Sequence, residues 1–411
     1  MVPNGWKEVR LGDVISHQKG FAFKSEHYCD KGKRIIRISD TDRNSIHDKS
    51  PVYINENNSV GLERYALFSG DIILSTVGSR PHLLDSMVGK AVQIPPKDEG
   101  ALLNQNLVKI SPKKKLITNN YLFSMLKKNK FNFFISTLVR GNANQVSITL
   151  DELFSYKFLL PTYDEQRKIA KILSTWDQAI ATTERLIATS QQQKKALMQQ
   201  LLTGKKRLVN PETGKVFEGN WETVKFSQLA AITMGSSPKS DAYNETGEGL
   251  PLLQGNADIK FRRSAPRIYT NQVTKECSIG DILLSVRAPV GSVAKSDHKA
   301  CIGRGIASVK AKESNSQEYL YQWLLAFEPK WERLSQGSTF EAVNSNDIKT
   351  VHISVPSLTE QQKIASVLTA ADQEIERLEA KLAHLKDEKK ALMQQLLTGK
   401  RRVKVDTAEV A

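Results

Sequence analysis

Along residues 356–400 apolar side chains recur in steps of four and three: Ile364, Leu368, Ala371, Ile375, Leu378, Leu382, Leu385, Leu392 and Leu396. That spacing is a heptad seam, interrupted at Lys389, and it predicts one long helix with a single apolar stripe. Residues 161–205 hold the same register with Ile169, Leu173, Trp176, Ile180, Thr183, Ile187, Ser190, Lys194, Leu197 and Leu201, more polar in the middle. Asp164 and Thr359 read as N-caps before a Glu-Gln pair, and Gly204 and Gly399 as C-cap glycines. A helix of this length spans about 60 Å at 1.5 Å per residue, more than a small domain is wide. Each seam therefore needs an equally long partner, and the other copy is the obvious one.

The two stretches are an internal repeat. KKALMQQLLTGK stands at Lys194–Lys205 and again, unchanged, at Lys389–Lys400. PTYDEQRKIAKILSTWDQAI from Pro161 aligns without a gap on PSLTEQQKIASVLTAADQEI from Pro356. The segments before each helix also echo one another, more loosely. GWKEVRLGDVISHQKGFAFKSE at Gly5 matches NWETVKFSQLAAITMGSSPKSD at Asn220, and GDIILSTVG at Gly70 matches GDILLSVRAPVG at Gly280. The latter pair reads as buried strands after a Gly-Asp turn. GNANQVSITLDELFSYKFLLP at Gly141 and GSTFEAVNSNDIKTVHISVP at Gly337 each read as loop, short helical turn and strand. Amphipathic stretches near Tyr121 and Tyr319 read as helices. The expected order is domain 1–160, helix 161–205, linker 206–220, domain 221–355, helix 356–400 and tail 401–411. The framework is shared while loop lengths drift.

Charge adds a partner. Hydrophobic content of 40% fits a globular chain, whereas a formal charge of +15 and a pI near 9.5 favour a polyanion, nucleic acid before an acidic membrane. Cys29, Cys277 and Cys301 are scattered without ligand spacing, which argues against a zinc site or disulfide framework and for a reducing cytosol. The N-terminus lacks the apolar core of a signal peptide, and no apolar run approaches membrane-spanning length, so a cytoplasmic protein without a membrane role is expected. Phosphate loops, dinucleotide fingerprints, metallohydrolase and deaminase signatures are absent. No catalytic residue, metal or cofactor is expected.

Four stretches carry a family resemblance: GFAFKSEHY at Gly20, GSSPKSDAYNETGEGLPLLQGNADI at Gly235, the P-x-x-x-EQ-x-KIA helix starts, and the KKALMQQLLTGK helix ends. Together they resemble the specificity subunit of type I restriction–modification systems over essentially the whole chain. The resemblance implies an α/β (α+β) fold: two target-recognition domains separated by two long antiparallel coiled-coil helices, related by a pseudo-twofold repeat. It implies a non-catalytic subunit whose domains each read half of a bipartite double-stranded DNA site, the helices setting the gap. Its implied partners are two methyltransferase subunits, which carry S-adenosylmethionine and methylate adenine, and ATP-driven motor–nuclease subunits.

Within that frame, Lys and Arg supply phosphate contacts, and Arg, Asn, Gln and Ser read base edges. The candidates in the first domain are Lys24, Ser25, Arg37, Ser39, Ser79, Arg80, Asn104, Gln105, Asn106, Arg140, Asn142, Asn144 and Gln145. Those in the second are Ser236, Ser237, Lys239, Gln254, Asn256, Arg287, Arg304, Gln336, Ser338 and Thr339. The repeated helix ends offer Gln166, Lys168, Gln199, Gln200, Lys205, Gln361, Lys363, Gln394, Gln395 and Lys400 as partner-facing residues. The competing readings are a coiled-coil scaffold with a non-specific basic surface, and a nucleic-acid enzyme with an unrecognised site. A flat salt response of DNA binding would favour the scaffold, and turnover by the isolated chain the enzyme.

Overall fold

Both long helices form where the seam predicts them, over Tyr163–Leu201 and Leu358–Leu396, 39 residues each. They begin earlier than expected, which corrects the caps: Asp164 and Thr359 lie inside the first turn. The first intrahelical bonds run from Gln166 N to the Thr162 carbonyl (3.0 Å) and from Gln361 N to the Ser357 carbonyl (2.9 Å). The reason is a side-chain anchor. Gln166 Nε2 donates to the Pro161 carbonyl and Gln361 Nε2 to the Pro356 carbonyl, each at 3.0 Å, so winding starts directly after the proline.

The computed structural model describes residues 2–80, 82–83, 85–139, 145–335 and 342–405. The chain divides into two units: Met1–Thr182 with Leu382–Ala411, and Thr183–Lys381. Each unit thus owns part of each long helix.

In the first unit a four-stranded antiparallel sheet has the order Ile15–Lys19, Leu107–Pro112, Ile72–Ser75, Ala91–Gln93. All four residues of Ile72–Ser75 are buried, as expected of a continuous apolar strand. A second sheet joins Lys33–Ile36 in parallel to Leu102–Leu103. The expected helix near Tyr121 is two, Asn119–Leu126 and Asn129–Leu138, parted at Lys127 and Lys128. The core runs from the sheet through Tyr121 and Phe131 to Ile169 and Leu173 of the first long helix, and to Leu396 of the second with Leu397 just beyond it.

The second unit repeats this plan. Ala230–Met234, Ile306–Ala311, Ile282–Ser285 and Val293–Lys295 pair in the corresponding order, and Leu250–Leu253 runs parallel to Ala300–Ile302. The helix near Tyr319 is continuous from Gln317 to Ser335. Leu201, Leu202, Ile364 and Leu368 enter its core.

The seam holds within each unit, the helices running antiparallel. Its polar positions are matched across the pair. In the second unit Lys194 Nζ lies 2.5 Å from Asp372 Oδ1. In the first, the repeat-equivalent Lys389 pairs with Asp177, and Trp176 Nε1 donates to Glu388 at 3.2 Å. Lys389 interrupts the apolar stripe because it has a carboxylate opposite.

Candidate nucleic-acid interface

The repeated helix ends build a closure inside each unit. In the first unit Glu165, 3% exposed, accepts hydrogen bonds from Arg402 Nε (2.6 Å), Trp6 Nε1 (3.0 Å) and Thr162 Oγ1 (3.0 Å). Burial opposes its charge, but these donors outweigh burial and hold its carboxyl below the ordinary range. In the second unit Glu360, 1% exposed, takes Arg207 bidentately, Nε at 2.6 Å and Nη2 at 2.7 Å. Each arginine lies close over a tryptophan, Arg402 over Trp6 and Arg207 over Trp221. Gly204 and Gly399 adopt φ of +70° and +72° and press against Trp221 and Trp6, so a side chain there would be both strained and crowded.

These contacts correct part of the partner-facing expectation. Gln166 and Gln361 are buried, not surface groups. Gln166 Oε1 accepts from Thr118 N (2.9 Å) while its Nε2 donates to Leu116 and Pro161 carbonyls. Gln361 Oε1 accepts from Ser316 N (3.0 Å) while its Nε2 donates to Asn315 and Pro356. Their duplication follows from pinning the same loop twice. Lys168, Gln199, Gln200, Lys205, Gln394, Gln395 and Lys400 are exposed, and Lys363 is half-buried. Sequence reasoning missed Glu165, Glu360, Arg207, Arg402, Trp6 and Trp221. The signal was present, since each is repeated in its counterpart segment.

Five second-domain candidates come together. Ser237, Gln254, Asn256, Arg287 and Arg304 line one cleft of about 230 Å³ with Gly255, Ala288 and Gly305. Backbone geometry puts them there. Gly303 N bonds the Leu253 carbonyl (2.8 Å) and Gly305 N the Gln254 carbonyl (3.1 Å), which lays the Gly303–Gly305 turn over the end of the Leu250–Leu253 strand. Gly235 packs on the same turn; a Cβ there would stand 2.1 Å from the Gly303 carbonyl oxygen. Ser237 Oγ accepts the Arg304 N–H at 3.1 Å, and Asp258 accepts the Gln254 N–H at 2.8 Å. Gln254 Nε2 is buried without a partner among the described residues, whereas the Arg287 and Arg304 side chains are exposed. Ser236 and Lys239 are exposed on the strand-leaving loop beside the cleft.

The first unit has the corresponding edge with other chemistry. Asn104 N bonds the Ile36 carbonyl (3.2 Å), so Arg37 stands where Gln254 does, and Gln105 where Arg304 does. Arg37 is a correction: its guanidinium clasps buried Asp40 (Nε to Oδ2 3.1 Å, Nη2 to Oδ1 2.9 Å) and donates to the Ser50 carbonyl at 2.6 Å. The hydrogen bond to Asp40 raises its pKa further despite burial. Asn104 is also corrected, being buried, with its carbonyl under Gly20. Gln105, Asn106, Lys24, Ser25 and Ser39 are exposed, Lys24 facing Glu26 at 3.7 Å. Ser79, half-buried, accepts from Ser86 Oγ at 3.0 Å, and Arg80 is half-buried and engaged. Arg140, Asn142, Asn144, Gln336, Ser338 and Thr339, with the side chain of Gln145, lie outside the described residues.

Two lysines of the first unit, Lys90 buried and Lys127 half-buried, point their ammonium groups at backbone carbonyls. Lys90 Nζ donates to the carbonyls of Thr41 and Asp85 (2.7 Å), and Lys127 Nζ to those of Arg43 and Ala91 (2.7 Å). Burial pulls Lys90 down to about 8 and Lys127 to about 7. Among the described residues no cluster of ligating side chains suits a metal ion, and no helix is long and apolar enough to cross a membrane. The three cysteines are free.

Comparison with known proteins gives a consistent result. The family described as "Type I restriction modification DNA specificity domain" matches residues 3–189 and 218–387, once per repeat. A Methanocaldococcus jannaschii protein, by name a type I restriction enzyme MjaX specificity subunit, is 34% identical over 410 residues, 98% of this chain and 95% of that one. A chain from a structural study of complex assembly and conformational transition of the type I R-M system has 27% identity and a TM-score of 0.59. The match covers 98% of this chain and 100% of that one. The type I restriction-modification system S subunit of M. genitalium, 13% identical with a TM-score of 0.65 over 96% of each chain, shares the fold.

Proposed function

Because the chain belongs to the family of type I restriction–modification DNA specificity proteins, we propose that its two repeats each read one half of a bipartite double-stranded DNA site. The readers in this proposal are residues 1–160 and 221–355. Residues 161–205 and 356–400 set the unread gap, and residues 206–220 and 401–411 are linker and tail. Two reading heads must keep a fixed separation and rotation to meet one duplex, whose face repeats about every 34 Å. That requirement explains helices of equal length in both repeats.

The observation that carries the proposal is the convergence of Ser237, Gln254, Asn256, Arg287 and Arg304 on one cleft. Exposed guanidinium groups supply phosphate or guanine contacts, and the amides of Gln254 and Asn256 suit an adenine edge. In the first unit Gln105, Asn106, Lys24, Ser25 and Ser39 present the corresponding groups. The exposed lysines and glutamines of the repeated helix ends dock two methyltransferase subunits, one per repeat. Adenine-N6 methylation and ATP-dependent cleavage belong to those partners and to motor–nuclease subunits, in the cytoplasm. The scaffold reading leaves the convergent cleft without a role.

The test is a methylome. This chain is expressed with a type I methyltransferase subunit that it co-purifies with, in a host free of methylation, and modified bases are read by long-read sequencing. A two-part motif that disappears when this chain is omitted is the expected result. Arg304→Ala should blur one half-site only, by about 1–3 kcal/mol of discrimination at one base. A soluble complex that leaves DNA unmethylated would refute the proposal.

A further inference from the structure

A second candidate surface lies in the first unit alone. Arg167 and Lys171, one helical turn apart on the first long helix, line a groove of about 360 Å³ with Thr118, Asn119, Asn120 and Ser174. The loop before Thr118 is held against the same helix start by Gln166, and it carries Lys114 and Lys115. All four cationic side chains are exposed, and none has a hydrogen-bond or ion-pair partner among the described residues.

The repeat supplies an internal control. Lys113 N bonds the Val14 carbonyl (2.9 Å) and Lys312 N the Leu229 carbonyl (2.8 Å), which aligns the starts of the two loops, the first loop being one residue longer before its helix. After that shared lysine the first unit's loop continues with Lys114 and Lys115 and the second unit's with Glu313 and Ser314, and Arg167 and Lys171 correspond to Gln362 and Ser366 in the repeat. Four cations in one repeat correspond to one anion in the other. Fold, closure and loop anchor are common to both, so the charge is not needed to build them.

We propose that this groove receives a carboxylate-rich segment of a partner polypeptide, once per chain and in the first unit only. Such a contact would distinguish two otherwise equivalent docking faces. Protein is favoured over DNA by position. The Leu107–Pro112 strand starts at the proposed reading turn, Asn104–Asn106, and ends at Lys113, so about 20 Å of strand separates the reading edge from this loop. This choice rests on the loop assignment above.

The test uses the full chain and fluorescein-labelled hexaglutamate, followed by anisotropy, beside duplex DNA carrying the methylome motif and a random duplex. R167Q/K171S, which installs the second unit's residues, should weaken hexaglutamate binding about tenfold and leave DNA binding unchanged. Adding K114E/K115S should abolish it, and Q362R/S366K should create a second site. Unaltered hexaglutamate binding by R167Q/K171S would overturn the proposal. So would a loss confined to DNA, which would make the groove a phosphate contact. Failure of the motif duplex to bind any variant, wild type included, would count against the reading function instead.

Discussion

The two units put the same closure beside different edges. At Glu165 and Glu360 the repeat preserves the buried carboxylate, the arginine that meets it and the tryptophan beneath that arginine. At Arg37 and Gln254, one strand-end position, the first unit spends a guanidinium on buried Asp40 while the second leaves an amide nitrogen unpartnered beside a cleft. Repetition marks what holds the molecule together. Divergence marks what meets something else.

The largest effect expected from that contrast concerns Lys127, whose position counted from the helix cap falls on Leu325 in the second unit. Its ammonium titrates at about 7 when folded, against 10.5 when free. Between these values the unfolded chain holds more protons, so stability rises with pH, by up to about 4 kcal/mol. Urea unfolding at pH 7 and pH 10 should show this rise, and Lys127→Leu should flatten it. An unchanged slope would mean that the ammonium is solvated.

Next come the closures. Glu165→Ala or Glu360→Ala strands an arginine and should each cost about 3 kcal/mol. A much smaller loss at one of them, measured by the urea midpoint, would break the claimed equivalence. Arg37→Ala leaves Asp40 buried and unpaired and should cost about 2 kcal/mol. Gln254→Ala should leave the midpoint nearly unmoved and alter base preference in the methylome. The smallest difference is at the tryptophans. Trp6→Phe removes a hydrogen bond to Glu165 and should cost about 1 kcal/mol, whereas Trp221 Nε1 has no partner among the described residues and Trp221→Phe should cost little.

What could be seen in the sequence was what repeats locally. The heptad register located both helices, and every seam position from Ile169 to Leu201 is buried or half-buried, including polar Thr183 and Ser190. The Gly-Asp turns located the buried strands at Ile72 and Ile282. Long-range pairing could not be seen. Lys389 looked like an interruption of a stripe because Asp177 is far along the chain, and Gln166 looked like surface because glutamine is polar. Its burial depends on backbone groups of the 116–118 loop, which no periodicity reveals. The helix break at Lys127 was hidden for the same reason: two carbonyls, of Arg43 and Ala91, hold its ammonium. At the reading edges, composition suggested residue types, but only the strand ends decide which side chains share a cleft.

The division of the chain gives the units different birth orders. Residues 183–381 are contiguous, so the second unit has all its parts once that stretch has left the ribosome. The first unit must wait for residues 382–402, since Leu396, Leu397 and Arg402 complete a core and a closure begun at Trp6. A nascent chain therefore carries an unfinished first half past a finished second one. A stop codon just after Leu385 would do its damage at the opposite end of the polypeptide, around Glu165 and Trp6.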